Sequence, residues 1–403
     1  MYQVKNYTIK SCDDEELGIK RDSLLEFKVS FDDEKEMKAL FFFINGIRDS
    51  EYASYEEHLA EFVVKEFGVA VICVEYHCIA LRPHIGAKYY FDAIDYAILQ
   101  QSCQTLGISV PENIAIDKEI SEKELFILIS YLNGEIESLK KAWKFNPEKI
   151  LTFCASFRPT KNEYQNFGLI QALDILNALC FIKDNAPFKL AKDYKSLLFG
   201  TSHGGYIAFL AAKFAPWLID AVVENSGYVD VVLRLMGFGK ELDYENISEA
   251  GVEAKNVNFA FNTKTHWTSD KKSKYYFSEA HKKIRSASEH LQTQSKHHKP
   301  VYVSYHSIND ELALPQEKIK LYEKLVNLGF EARLNMIKDE SEVDGKFIKN
   351  LSHGMDMSLK TLIQKELPPL LARTFKRDEK EKSISYVSED LEYHFEERGG
   401  ALA

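Results

Sequence analysis

The sequence is poor in the features that mark membrane, secreted or redox-active proteins. It has no apolar run of about 18 residues or more, so it predicts no transmembrane helix. Its first residues, MYQVKNYTIK, lack a basic stretch followed by an apolar one, and we expect no secretory signal. Only six of the 403 residues are cysteine, and none has C-x-x-C spacing. The sequence therefore predicts reduced thiols and a cytoplasmic location.

Motifs for cofactors and metals are also missing. No G-x-G-x-x-G follows a strand pattern and there is no Walker loop, so no nucleotide cofactor is expected. The groups His77, Cys78 and His84, and the pair His297 and His298, lack the spacing of a usual zinc site, and we predict no metal. The net charge of −10 argues against a nucleic-acid-binding protein.

What is present indicates a globular α/β protein. The residues are 45% hydrophobic and 28% charged, which suffices for a large core. Two continuous apolar runs, KALFFFI at 38–44 and the stretch 69–74, read as strands buried on both faces, and a helical pattern joins them. Such a strand–helix–strand unit predicts a mostly parallel central sheet flanked by helices.

Changes in this rhythm divide the chain into segments, with two helical insertions that we expect to form a cap. The predicted segments are N-terminal antiparallel strands at 1–37, a first core part at 38–77, a helical insertion at 78–160, a core part with the serine turn at 161–226, a cap insertion at 227–298, a third core part at 299–375 and a charged C-terminal tail at 376–403.

The most informative stretch is LLFGTSHGGYIAFLAA, residues 197–212. A short apolar strand breaks at a G-x-S-x-G motif and continues as an apolar helix. In this context Ser202 predicts a nucleophile on a sharp turn, and Gly200, Gly204 and Gly205 allow the strand and helix to pass closely. The alternative is a glycine-rich helix start in which Ser202 is an ordinary cap.

Two later strand ends supply partners for such a serine. Asp310 follows the strand at 301–305, and His353 follows the strand at 331–337 and precedes the last core helix. A histidine would accept the serine proton and a carboxylate would orient that histidine. Glu311 is a weaker candidate for the acid. Alternatively, Asp310 is a turn residue and His353 a helix-entry residue without chemistry.

An acyl-transfer site also needs two N–H donors for the developing oxyanion. We predict the backbone of His203 as one donor and that of Gly46 or Ile47 as the other. The candidate substrate contacts are Arg48, Trp267 and Tyr275. Residues 261–299 hold nine Lys or Arg and only three Asp or Glu, which favours either an anionic substrate or a solvated cap surface.

These segments resemble α/β-hydrolases of the prolyl-oligopeptidase and acyl-esterase branch. The resemblance rests on FFFINGIRDS, FGVAVICVEY, GTSHGGYIAFLAA, VSYHSINDELALP and LSHGMD. The first of these reads Asn-Gly where the family usually has His-Gly-Gly, and the acid loop has one extra residue before Pro315. More loosely, the chain is similar to proteins encoded among bacterial flagellin-glycosylation genes, which would imply an acylated sugar as substrate.

The leading hypothesis is a serine hydrolase that uses Ser202, Asp310 and His353 to cleave a polar, small-molecule or glycan ester through an acyl-enzyme. One alternative is an acyltransferase that passes the acyl group to a sugar hydroxyl. The other is a non-catalytic binding module on a hydrolase scaffold. The sequence predicts no oligomeric state.

Overall fold

A computed structural model describes residues 1–47, 53–80, 85–238, 240, 249–375 and 382–402. Within those residues the strands are β1 (Tyr2–Ile9), β2 (Leu25–Asp32), β3 (Met37–Ile44), β4 (Ala70–Glu75), β5 (Lys88–Tyr90), β6 (Glu119–Ile120), β7 (Leu151–Arg158), β8 (Leu190–Thr201), β9 (Ala221–Asn225), β10 (Glu249–Ala254), β11 (Val257–Thr263), β12 (Val301–Ser307), β13 (Ala332–Ile337), β14 (Ser383–Ser388), β15 (Leu391–Arg398) and β16 (Ala401–Leu402). The α-helices there are α1 (Ala53–Phe67), α2 (Ala93–Leu106), α3 (Glu122–Lys141), α4 (Leu169–Asn185), α5 (His203–Phe214), α6 (Glu279–Arg285), α7 (Leu291–Gln294), α8 (Pro315–Asn327) and α9 (Leu359–Leu371).

The chain divides into two compact units. The core unit comprises Met1–Ile79, Phe167–Val231 and Ser278–Ala403, and the second unit comprises Ala80–Asn166 and Val232–Phe277.

A central sheet organises the core unit. Its strand order over the described residues is β1-β2-β4-β3-β8-β9-β12-β13. The pairs β1–β2 and β2–β4 are antiparallel, and every later pair is parallel. This order, with helices between the parallel strands, is that of the α/β-hydrolase fold. The predicted fold class, a mostly parallel sheet flanked by helices, is confirmed.

Apolar side chains point alternately to the two faces of the central sheet, and a layer of helices covers each face. Phe41 and Phe43 of β3 lie in one apolar cluster with Val63 of α1 and with Leu362 and Leu367 of α9. Successive strand residues point to opposite faces, so residues such as Phe42 face the other layer. There α5 packs on β8, β9 and α4. The continuous apolar runs in the sequence follow from this burial on both faces.

The second unit is not purely helical, which corrects the prediction for 78–160. Its sheet has the order β10-β11-β7-β5-β6 in the described residues, with β7 and β11 parallel. The strand predicted at 149–155 is β7 (Leu151–Arg158) in the middle of this sheet. The strands β5 and β6 have three and two residues, too short to leave a pattern in the sequence.

The structure also moves the boundary of the predicted 227–298 insertion. Residues 278–298 belong to the core unit, because α6 is anchored there. The guanidinium of Arg285 is fully buried and forms an ion pair with Glu16. The Tyr206 hydroxyl of α5 donates to the Arg285 carbonyl at 2.7 Å.

The C-terminal segment, predicted as a charged tail, contains a small antiparallel sheet of β14, β15 and β16. Its inner side chains are apolar and buried, among them Ile384, Tyr386 and Phe395. Polar and charged residues alternate with them, Ser383 and Ser385 on β14 and Glu392, His394 and Glu396 on β15. This alternation conceals the strands in the composition of the segment. Among the described helices, none has the length and apolar character needed to cross a bilayer.

The burial of this terminal sheet makes it a part of the folded core unit. Phe395 is 4% exposed and its ring stacks on Phe214 of α5, with centroids 4.2 Å apart. We expect Phe395→Ala to lower the free energy of unfolding of the full chain by about 3–5 kcal/mol in a urea titration. The control Val387→Ala, at a 71% exposed position of β14, should change it by less than about 0.5 kcal/mol. Equal effects would contradict the packing described.

Candidate active site

The serine turn joins β8 to α5 at the carboxyl edge of the central sheet. Ser202 has φ 52° and ψ −120°, a backbone conformation that non-glycine residues rarely adopt. The Ser202 N–H donates to the Asn225 carbonyl at the end of β9, at 2.8 Å. Because this strained residue is fixed between strand and helix, its side chain stays partly exposed while the elements around it are buried.

Close backbone approach explains two of the three glycines most directly. A Cβ on Gly200 would lie 2.4 Å from the Gly204 carbonyl oxygen, and one on Gly204 would lie 2.1 Å from the Ile44 carbonyl oxygen. Both distances are prohibitive for a side chain against backbone. A Cβ on Gly205 would lie 3.0 Å from the Glu224 Cβ. The motif therefore reflects how tightly α5 enters between β8 and β3.

The structure brings Ser202, His353 and Asp310 together. The Nε2 atom of His353 lies 2.8 Å from Ser202 Oγ. Its Nδ1 atom lies 3.0 and 2.9 Å from the two carboxylate oxygens of Asp310. The His353 side chain is 24% exposed and that of Asp310 is fully buried. This arrangement can move a proton from the hydroxyl to the imidazole while the carboxylate holds the ring.

The loop around Asp310 keeps its carboxylate ionised. Its Oδ1 accepts the backbone N–H groups of Leu312 and Ala313 at 3.0 and 2.8 Å. Burial acts to raise the pKa of Asp310, but the hydrogen bond and charge of His353 together with the Ala313 N–H outweigh it and lower the pKa. Glu311, the weaker candidate for the acid, is exposed.

His203 lies at the first position of α5, and its side chain is buried and structural. The Gln171 amide donates to the His77 carbonyl at 2.8 Å, so its oxygen accepts a hydrogen bond from His203 Nε2, also at 2.8 Å. Burial lowers the pKa of His203 from 6.5 to about 3. Only the backbone of His203 is therefore a candidate for oxyanion binding.

The other predicted oxyanion segment lies beside the serine turn. A Cβ on Gly204 would lie 2.5 Å from the Asn45 carbonyl oxygen, which places the turn after β3 against the start of α5. The Tyr76 hydroxyl donates to the carbonyl oxygens of Asn45 and Gly46, at 2.9 and 3.3 Å. In trans peptides the N–H groups of Gly46 and Ile47 then point away from Tyr76. Arg48 lies outside the described residues.

The candidate substrate contacts Trp267 and Tyr275 belong to the second unit. Trp267 is 4% exposed and packs edge-on against Phe277, so its ring is part of the core of that unit. Tyr275 is partly exposed, and the Lys274 ammonium lies 4.6 Å from its ring centroid. Their role in substrate binding stays a prediction.

Sequence reasoning missed the segment that follows β9. The Asn225 amide donates to the Gly354 carbonyl at 2.9 Å, and the Ser226 hydroxyl accepts the Gly354 N–H at 3.1 Å. Three residues after the strand, the Tyr228 hydroxyl lies 3.1 Å from Ser202 Oγ. Only its position in the sequence could have indicated this segment. Asn-Ser-Gly-Tyr stands at the end of a parallel strand, at the same sheet edge as the serine.

Within the described residues, no group of three or more histidine, cysteine, aspartate or glutamate side chains is arranged to hold a metal ion.

Comparison with curated proteins finds no match. The model of one protein family, described as "Protein of unknown function (DUF2920)", matches residues 5–403. Among solved structures, the chain is similar to an acylaminoacyl peptidase from Pyrococcus horikoshii at 13% identity and a TM-score of 0.45, covering 94% of this chain and 43% of that one. It is also similar to the esterase Est22 at 12% identity and a TM-score of 0.42, covering 85% of this chain and 74% of that one. The chain thus spans less than half the length of the peptidase.

The buried imidazole of His203 should make stability depend on pH. An unfolded histidine gains a proton below about pH 6.5, whereas the buried ring stays neutral down to about pH 3, so the free energy of unfolding falls as the pH drops through this window. We measure by urea titration how far the free energy of unfolding falls between about pH 7.5 and pH 4.5. We expect this fall to be smaller by about 2–3 kcal/mol in His203→Gln than in the unmodified chain. An equal loss in both chains would show that this ring is not the source.

Proposed function

We propose that this chain, which belongs to the DUF2920 family, is a serine hydrolase that cleaves carboxylic esters through an acyl-enzyme. The observation that carries the proposal is the unbroken contact from Ser202 Oγ through the His353 ring to the Asp310 carboxylate. These side chains come from three turns that are far apart in the sequence.

In the proposed reaction, Ser202 Oγ attacks the ester carbonyl carbon while its proton passes to His353 Nε2. The tetrahedral intermediate collapses when the bond to the alcohol oxygen breaks, and that oxygen takes the proton from Nε2. A water then attacks the acyl-enzyme, with His353 again accepting and returning a proton. Asp310 stays ionised throughout and stabilises the imidazolium.

We assign the oxyanion to the backbone N–H of His203 and that of Gly46 or Ile47. The start of α5 supports the first assignment, because unpaired N–H groups and the positive end of the helix dipole lie there. The peptide orientation set by Tyr76 supports the second, because it turns the N–H groups of that segment away from the hydroxyl that binds its carbonyls.

We propose a polar ester, small or glycan-linked, as the substrate. The surplus of lysine and arginine over acidic residues at 261–299 supports an anionic one. An acyltransferase would use the same three residues and differ only in the acceptor that replaces water. The assay therefore contains a sugar as a possible acceptor, and its products are identified. Free acid would indicate hydrolysis, and an acylated sugar would indicate transfer.

The first test compares the unmodified chain with Ser202→Ala on short-chain nitrophenyl esters. We expect kcat to fall at least about 1,000-fold, because no other group replaces the nucleophile. The kcat of His353→Gln should fall by a similar factor. The matched control is Glu311→Gln, at the exposed position next to Asp310, and it should keep nearly full activity. Equal rates for the unmodified chain and Ser202→Ala would contradict the proposal and favour a binding module.

The second test is the pH dependence of kcat/KM. General-base catalysis needs a neutral imidazole beside an ionised carboxylate, so kcat/KM should be low in acid, rise with pH and then reach a plateau. Initial-rate assays at several pH values from acidic to neutral measure this kcat/KM profile. A rate that does not change over the range would rule out histidine as the base.

A further inference from the structure

A second histidine lies beside Asp310. His306 is the second-to-last residue of β12, and its side chain is fully buried. Its Nε2 atom lies 2.8 Å from the Ala313 carbonyl oxygen and 3.8 Å from Asp310 Oδ2. The first distance is that of a hydrogen bond, and the second is too long for one. The ring is therefore bonded to the backbone of the acid loop and not to the carboxylate itself.

The ring of His306 is neutral, and its proton is on Nε2. Burial and the nearby Lys318 ammonium lower the pKa of His306 below its ordinary value. The Ala313 carbonyl can only accept, so the Nε2 atom donates to it. Because Ala313 is 4% exposed, water is largely kept away from this contact.

Packing does not account for a histidine at this position. The Nδ1 atom of His306 is buried, and among the residues that the structure describes it has no hydrogen-bond partner. A buried polar atom without a partner costs about 1–3 kcal/mol. An apolar side chain would avoid this cost, so what the histidine contributes is the hydrogen bond from Nε2.

That hydrogen bond closes the loop that carries the acid. Residues 308–314, all of them described, join β12 to α8 without a helix or strand of their own. Such a loop keeps one conformation only where its contacts offset the loss of backbone entropy. The contact between His306 and Ala313 spans it, from the end of the strand to the residue before the N-cap of α8.

The bond from His306 also acts on the residue that holds the Asp310 carboxylate. Asp310 Oδ1 accepts the N–H groups of Leu312 and Ala313, at 3.0 and 2.8 Å. The N–H of Ala313 therefore binds the carboxylate, while the carbonyl of the same residue binds the His306 ring. The ring thus fixes a residue whose N–H orients the acid.

The loop of His353 is held by a different part of the fold. The Asn225 amide and the Ser226 hydroxyl, at the end of β9, bind the backbone of Gly354. A movement of the acid loop would therefore displace Asp310 without displacing His353 equally, and it would change the 2.9 and 3.0 Å distances between them. The distance between acid and base depends on what holds the acid loop in place.

We propose that His306 is a positioning residue for the acid of the site. By donating to the Ala313 carbonyl, it keeps the loop closed on Asp310 so that the carboxylate faces His353 Nδ1. It transfers no proton, and it acts on the reaction only through Asp310. This role rests on the proposed hydrolase function, because the contact between Asp310 and His353 has a task only in that reaction.

The test uses two variants that differ in how far a side-chain amide reaches. In His306→Gln the amide nitrogen can occupy the place of Nε2 and donate to the Ala313 carbonyl. In His306→Asn the amide nitrogen reaches only to about the place of Nδ1, so the bond is lost. Both variants bury an amide at the same position, and each is therefore the matched control for the other.

We measure kcat and KM on short-chain nitrophenyl esters for both variants and for the unmodified chain. For His306→Asn we expect kcat to fall about 10- to 100-fold and KM to change less than about 3-fold, because a misplaced acid impairs proton transfer and not ester binding. For His306→Gln we expect kcat to stay within about 3-fold of the unmodified value, since the donor is restored.

A urea titration of each variant shows whether it is folded under the assay conditions. An equal loss of kcat in the two variants, or an unchanged kcat in His306→Asn, would overturn the proposal. A change in KM alone, or a variant that does not fold, would overturn it too, because the histidine would then serve binding or the fold as a whole. These outcomes leave the proposed function intact. If the unmodified chain hydrolyses no ester, the proposed function itself fails, and this proposal fails with it.

Discussion

The whole site depends on the close passage of backbone at the start of α5. The helix enters so near β8 and β3 that side chains at Gly200 and Gly204 would collide with carbonyl groups 2.4 and 2.1 Å away. That closeness forces Ser202 into a strained conformation with φ 52° and directs it out of the sheet edge. Apolar side chains are buried on both faces of the sheet, and this core supplies the stability that such strain requires.

The end of β9 connects this turn to the rest of the constellation. The Asn225 carbonyl accepts the Ser202 N–H, while its side chain and that of Ser226 bind the backbone of Gly354, next to His353. Ser202 and the residue next to His353 are therefore held by the same short segment. Three residues after the strand, Tyr228 completes the set of polar groups around the serine oxygen.

Much of this arrangement could be predicted from the sequence, and the exceptions have physical reasons. The buried parallel strands leave long apolar runs, and polar residues directly after them fall at one sheet edge, which is why Ser202, Asp310 and His353 could be named. Tyr228 could not, because a tyrosine after a strand has the same sequence pattern whether its hydroxyl lies in a core or beside Ser202. The sheet of the second unit was missed because β5 and β6 are too short to leave a pattern. The terminal sheet was missed because serines alternate with Ile384 and Tyr386, and charged residues surround Phe395.

The central claim is that Ser202 carries the acyl group during turnover. Rapid acid quenching of the full chain in the presence of an ester, followed by peptide mass spectrometry, measures this directly. The account predicts a mass increase equal to the acyl group on the peptide that contains Ser202, and no such increase in Ser202→Ala. Turnover of the ester without that adduct, or with the adduct on a different residue, would contradict it.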